Sequence, residues 1–223
     1  MAGCDWGLSE RSAPLAGVLS VVCSLVGVMH VLNQPQTKDS DAKFTAYFAD
    51  HSHRVQGAVS FFVYLAGIIF LLVFLGSLRE RLLAAEGQPG RLTALAFGAG
   101  VAALPLWGIS MLLANATSFT VSESSVFTVD PNTYRLFGVV AYITWVIALF
   151  VSSVVVWATS AVALRTRALP RWYAVAGIIV GIVQLFGLFF FPFVAWWLWI
   201  VVTSVLLTTR RAPAPAAVAQ PAI

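Results

Sequence analysis

Three histidines occur in 223 residues, and two of them fall in one short stretch, Ala49-Asp50-His51-Ser52-His53-Arg54. A carboxylate, two imidazoles and a guanidinium this close together are the raw material of acid–base chemistry near neutral pH, where histidine titrates without large tuning. Spacing narrows the options. On a helix His51 and His53 lie about 200° apart, so they do not readily chelate one metal as an i, i+4 pair does. Asp50 and Arg54 stand at i and i+4, the favourable order for a helical ion pair. His53, Gln56, Ser60 and Tyr64 follow spacings of three and four and so share one helical face. Two readings remain open: the stretch borders a polar pocket, or it is the polar collar where a helix enters lipid.

The rest of the chain settles the class. Hydrophobic residues make up 60% of it and charged residues 10%, against about 25% charged in ordinary soluble domains. Apolar runs of about 20 residues recur, the length that crosses a bilayer. The expected fold is an all-α, polytopic membrane helix bundle of about six spans, near 15–32, 57–75, 92–115, 136–161, 172–191 and 193–208. Only Pro192 separates the last two, so residues 172–208 read as two short helices or as one bent or re-entrant element. A membrane domain over 14–209 is expected between an N-terminal segment, 1–13, and a disordered Pro/Ala-rich tail, 210–223.

Charge sets the expected orientation. Arg11, Arg79, Arg81, Arg91, Arg165, Arg167, Arg171, Arg210 and Arg211 would share one side, and Lys38, Lys43, Arg54 and Arg135 the other. The side richer in arginine is expected to be cytoplasmic, with both termini there. The net charge of +4 does not point to nucleic acid, since the arginines cluster at the ends of apolar runs. Cys4 and Cys23 form no disulfide framework or zinc spacing, and neither a metal nor a cofactor is expected. The first apolar run exceeds a typical signal-peptide core and lacks a small-x-small cleavage site, so the N-terminus is expected to be retained.

With these spans no Asp, Glu, Lys or Arg lies mid-membrane, which argues against a proton-coupled pump. Uncharged polar groups gather towards the outer side instead. The pocket candidates are His30, His53, Gln56, Ser60, Tyr64, Asn115, Tyr142 and Gln184. Asp50, His51, Arg54, Asp130 and Arg135 are the charged candidates at the outer surface. Phe44, Tyr47, Phe48 and Val55 fall on one helical face, which reads as an interfacial helix hugging the membrane or a lid over the pocket. Ser122, Ser124 and Ser125 lack a nucleophile motif. Trp172, Trp196, Trp197 and Trp199 read as interface anchors, Gly177-x-x-x-Gly181 as a close-packing motif and Pro105 as a kink in the third span.

Arg54-Val-Gln-Gly57 and Arg135-Leu-Phe-Gly138 open the second and fourth spans, each preceded by an acidic residue, Asp50 or Asp130. Leu78-Arg-Glu-Arg81 and Leu164-Arg-Thr-Arg167 close them. The recurrence suggests a parallel repeat of helical hairpins, or only the positive charge expected at two cytoplasmic ends. Tyr47-Phe-x-Asp-His51, Leu78-Arg-Glu-Arg-Leu82, Glu86-Gly87, Gly90-Arg-Leu92, Asp130-Pro131 and Leu169-Pro-Arg-Trp172 resemble small six-span integral membrane proteins of actinobacteria. The resemblance covers about 44–208 and lies in loop and boundary signatures. It implies the fold and a bacterial plasma membrane, and no catalytic site.

Three function classes follow. The favoured one is a membrane protein that binds or helps to move an apolar or amphipathic molecule, or a lipid, through an outward-facing polar pocket. The second is a membrane-embedded enzyme acting on a lipid or isoprenoid, with Asp50, His51 or His53 as acid–base groups. The third is a structural or regulatory subunit. The expected partners are membrane lipids, an apolar small molecule or another membrane protein, and no nucleic acid.

Overall fold

The apolar runs become six helices of unequal length, and that inequality shapes the molecule. The computed structural model describes residues 13–123 and 130–209. After a short 3₁₀ turn, Ala13–Leu15, come α1 (Ala16–Leu32) and a small cap helix, α2 (Asp41–Ala49). The long helices α3 (His51–Glu86), α4 (Arg91–Glu123) and α5 (Pro131–Thr166) follow, then α6 (Arg171–Gln184) and α7 (Phe191–Thr209). Five of the seven are long and apolar enough to cross a membrane. The protein is an all-α bundle of membrane-spanning helices.

Neighbours pack as a closed ring: α1 on α3, α3 on α4, α4 on α5, α5 on α6, α6 on α7, and α7 back on α1. Small residues permit the close approaches. A Cβ on Gly67 of α3 would sit 2.9 Å from Cys23 Cβ and 3.2 Å from the Ser20 carbonyl of α1. Gly177 and Gly181 of α6 face Ser160 and Trp157 of α5 in the same way, so the Gly-x-x-x-Gly spacing packs helix on helix.

The region 172–208 forms two helices, and the turn is not at Pro192. The chain leaves helix after Gln184, and Pro192 falls in the first turn of α7, where its missing N–H leaves no bond unmade. With 14 residues, α6 is roughly 21 Å long, too short for a hydrocarbon layer of about 30 Å. The 36 residues of α3 and of α5 extend to roughly 54 Å. The α6–α7 hairpin therefore stops well short of the end where α5 begins.

Trp196, Trp197 and Trp199 are buried, which corrects their reading as interface anchors. Trp196 and Trp199 stack at 5.3 Å, and Trp197 meets Phe193 at 4.2 Å. The reason is the position of α7, which packs against α1, α3 and α6 at once. Trp172 is exposed. Arg79, Arg81, Arg91, Arg165, Arg167 and Arg171 lie at one end of the bundle, whereas Lys38, Lys43, Arg54 and Arg135 lie at the other. Arg11, Arg210, Arg211 and the C-terminal tail lie outside the described residues, as do Ser124 and Ser125.

Gly67→Val should lower the melting temperature of the purified protein, by an amount matching about 1–3 kcal/mol of overpacking. Gly98→Ala, where an added Cβ meets nothing within 4 Å, should hold or raise it through helix propensity. Equal melting temperatures for Gly67→Val and the parent would contradict the close α1–α3 contact.

Candidate functional site

Because the hairpin is short, a cavity of about 560 Å³ remains above its tip. Its walls are the end of α1 (Val28, Val31), α4 (Ser110, Met111, Ala114) and α5 (Gly138, Ala141, Trp145). Leu188 and Phe190 of the hairpin turn border it, with Tyr64 of α3. A strap of residues 34–37, between α1 and α2, covers it. Leu32, Val139, Tyr142, Leu188 and Phe190 border the same cavity yet remain exposed, so its mouth opens sideways, on the apolar flank of the bundle.

A buried amide–phenol cluster sits beneath the strap. The Tyr134 hydroxyl donates to Gln34 Oε1 at 2.9 Å, and Gln34 Nε2 donates to Asn115 Oδ1 at 3.2 Å. Asn115 Nδ2 donates to the Met111 carbonyl at 2.9 Å. That last bond fixes the polarity of the chain, since a carbonyl only accepts. Asn115 must then turn its oxygen to Gln34, and Gln34 its oxygen to Tyr134. Ser110 Oγ donates to the Ala141 carbonyl at 2.8 Å, and the Tyr142 hydroxyl to the Leu188 carbonyl.

The strap and α2 are fastened at both ends by arginine. Arg135 of α5 donates to the carbonyls of Thr37 and Asp39 and pairs with Asp41 Oδ1 at 2.7 Å. Its guanidinium also lies 4.9 Å over the Phe44 ring, a cation–π contact. Arg54 Nη1 donates to the carbonyls of Phe48 and Ala49 at 2.7 and 2.8 Å, capping the last turn of α2. Phe44 and Phe48 are fully buried against Tyr134. The cap helix thus packs its apolar face on protein, not on a membrane surface.

The Asp50–Arg54 pairing expected from sequence gives way to another arrangement. Asp50 has extended backbone and accepts from Ser52 N at 2.8 Å as the N-cap of α3. Arg54 N–H donates to the Asp50 carbonyl at 3.4 Å, but its guanidinium turns to the carbonyls of Phe48 and Ala49, and Val55 belongs to a different helix from Phe44. Asp130 caps α5 in the same manner, accepting from Asn132 N and Thr133 N. The Ser52 and Thr133 hydroxyls hold these two carboxyls below the usual carboxylate range. The Lys43 ammonium does the same for Asp39.

The sequence candidates separate into groups. Tyr64 and Tyr142 line the cavity, and Asn115 stands one hydrogen bond behind its Gln34 wall. Ser60 is buried, bonded to the Gly57 carbonyl of its own helix. His30 Nε2 is buried without a partner and lies against Gly57. His53 stacks on Tyr47 at 4.1 Å, with Nδ1 3.2 Å from the Tyr47 carbonyl, so it serves the α2–α3 corner. Gln56 and His51 are exposed. Gln184 is fully buried at the end of α6, with both amide ends unpaired, and it does not line the cavity. Asp50, His51 and His53 are likewise absent from the cavity wall.

Sequence reasoning missed Gln34, Tyr134 and Trp145. Gln34 precedes Pro35 just after an apolar run, and Tyr134 follows the helix-start signal Asp130-Pro131; both looked like boundary residues. Among the described residues no group of three or more His, Cys, Asp or Glu could hold a metal ion. Comparison with family models, curated proteins and solved structures found no match.

Tyr134→Phe should lower the melting temperature by the equivalent of about 1 kcal/mol, the usual net contribution of one hydrogen bond. Gln184→Leu should raise it, because a buried unpaired amide carries a desolvation cost of about 1–3 kcal/mol. A fall in stability for Gln184→Leu would show that the amide is engaged.

Proposed function

We propose that this protein binds an apolar or amphipathic, lipid-like molecule in the cavity above the α6–α7 hairpin, and that the molecule enters sideways from the surrounding lipid. The observation that carries this reading is the form of the cavity. It has an apolar wall, a mouth on the lipid-facing flank and a buried polar cluster beneath the strap. Its volume of about 560 Å³ falls within the range of small-molecule sites, about 300–1,000 Å³, and such sites pair apolar walls with a few placed polar groups. By the positive-inside rule the arginine end faces the cytoplasm. The cavity then opens in the outer leaflet of a bacterial plasma membrane, and both termini are cytoplasmic. The acid–base stretch at Asp50–His53 works as a structural corner in this account.

Gly138 borders the cavity, and a Cβ there meets no atom within 4 Å, so Gly138→Phe fills the space without a clash at the backbone. Mass spectrometry of solvent extracts should find a lipid-like molecule bound to the parent and depleted in Gly138→Phe at equal folded yield. An identical extract from both would overturn the reading. In whole cells, Lys38→Cys should react with an impermeant maleimide and Arg91→Cys only after permeabilisation. The reverse pattern would overturn the orientation.

A further inference from the structure

The hydrogen-bonding capacity left at the cavity wall selects among amphipathic ligands, an inference that rests on the cavity being a ligand site. Ser110, Tyr134 and Tyr142 line the cavity, and the proton of each hydroxyl is already committed. Ser110 donates to the Ala141 carbonyl, Tyr142 to the Leu188 carbonyl and Tyr134 to Gln34 Oε1. The first two partners are backbone carbonyls, which only accept. The third direction follows from the Asn115–Met111 bond, which orients both amides. Towards the cavity these three oxygens therefore offer lone pairs alone.

Donors remain beside them. Among the described residues the Tyr64 hydroxyl, the Trp145 indole N–H and the Thr37 hydroxyl form no hydrogen bond, and Gln34 and Gln36 each keep the second hydrogen of Nε2. Among the described residues no Asp, Glu, Lys or Arg lines the cavity. A phosphate or carboxylate head would lie in an apolar wall without a cation, which is costly. An ammonium head would find no carboxylate. A ketone or quinone head could accept hydrogen bonds from these donors but would leave the oxygens of Ser110, Tyr134 and Tyr142 without a donor. A hydroxyl group both gives and takes, and it satisfies an acceptor oxygen and Tyr64 together.

We propose that the ligand is an uncharged lipid alcohol: a long apolar chain or ring system carrying at least one hydroxyl, whose proton goes to the acceptor oxygens of Ser110, Tyr134 or Tyr142. The flat rings of Tyr64, Tyr134, Tyr142, Trp145 and Phe190 around the same space suit an apolar body next to that hydroxyl.

The test uses the purified protein in phosphatidylcholine nanodiscs. A long-chain isoprenoid alcohol, its methyl ether, its phosphate monoester and a quinone with the same tail are titrated, with affinity read from the thermal shift. The alcohol should bind, and the ether, which keeps shape and acceptor but loses the donor, should bind roughly tenfold more weakly, as the loss of one buried hydrogen bond predicts. The phosphate and the quinone should also be weaker than the alcohol. Ether or quinone binding as tight as that of the alcohol, with all binding abolished by Gly138→Phe, would overturn the alcohol assignment and leave the cavity reading standing. Gly138→Phe binding every probe as tightly as the parent does would overturn the cavity reading itself.

Discussion

A mismatch of lengths governs this molecule. Six helices close into a ring, but α6 ends at Gln184 while its neighbour α5 runs on for several turns past the hairpin tip. Side chains on the hairpin turn can cover only part of the missing length. The remainder is either filled by the protein's own strap or left as space, and the structure shows both. Residues 34–37 cross over the gap, and the cavity lies beneath them. Chains of 36 residues in α3 and α5 also carry their polar ends clear of the apolar layer. Asp50 and Asp130, at exposed caps, can therefore work there at little desolvation cost.

Of the strap, Gln34 and Pro35 are buried and Gln36 and Thr37 exposed, and directional bonds fix its position. Arg135 bonds the Thr37 carbonyl at its end and Asp39 and Asp41 just beyond, Arg54 closes the last turn of α2, and the Tyr134–Gln34–Asn115 chain ties its buried start to α4 and α5. A guanidinium is suited to this work because its planar fork holds several acceptors at fixed angles and stays charged at any relevant pH. The Tyr134–Gln34–Asn115 bonds that fasten the strap also commit the Tyr134 hydroxyl proton and one Gln34 amide proton beneath it. Roof architecture and the hydrogen-bonding capacity of the cavity wall are in this way one problem.

The bundle and its approximate span count were legible in the sequence because long apolar runs have few alternatives. The recurrence of Asp before the second and fourth spans was legible too, and it corresponds to two N-caps on helices of equal length. What escaped was long-range. Gln34 and Tyr134 stand 100 residues apart, and nothing in either local pattern signals that one satisfies the other. The histidine stretch misled for a related reason. A helical wheel drawn through Asp50 assumes a continuous helix, whereas the chain bends there into an extended cap. The tryptophans of α7 resembled an interface belt because composition alone cannot distinguish a helix facing lipid from one surrounded by other helices.

A lipid-like molecule that passes from the bilayer into the space above the short hairpin can be trapped there by photocrosslinking. A lipid alcohol carrying a diazirine in its apolar body, irradiated with the protein in nanodiscs, labels whatever lines its resting place. Met111 is buried in the cavity wall, whereas Ile69 and Ile179 are exposed on the outside of the bundle. Adducts are expected on the peptide carrying Met111 and Ala114, and excess unlabelled alcohol should remove them. Labelling confined to outward residues such as Ile69 and Ile179, with Met111 and Ala114 unmodified, would contradict entry into the cavity.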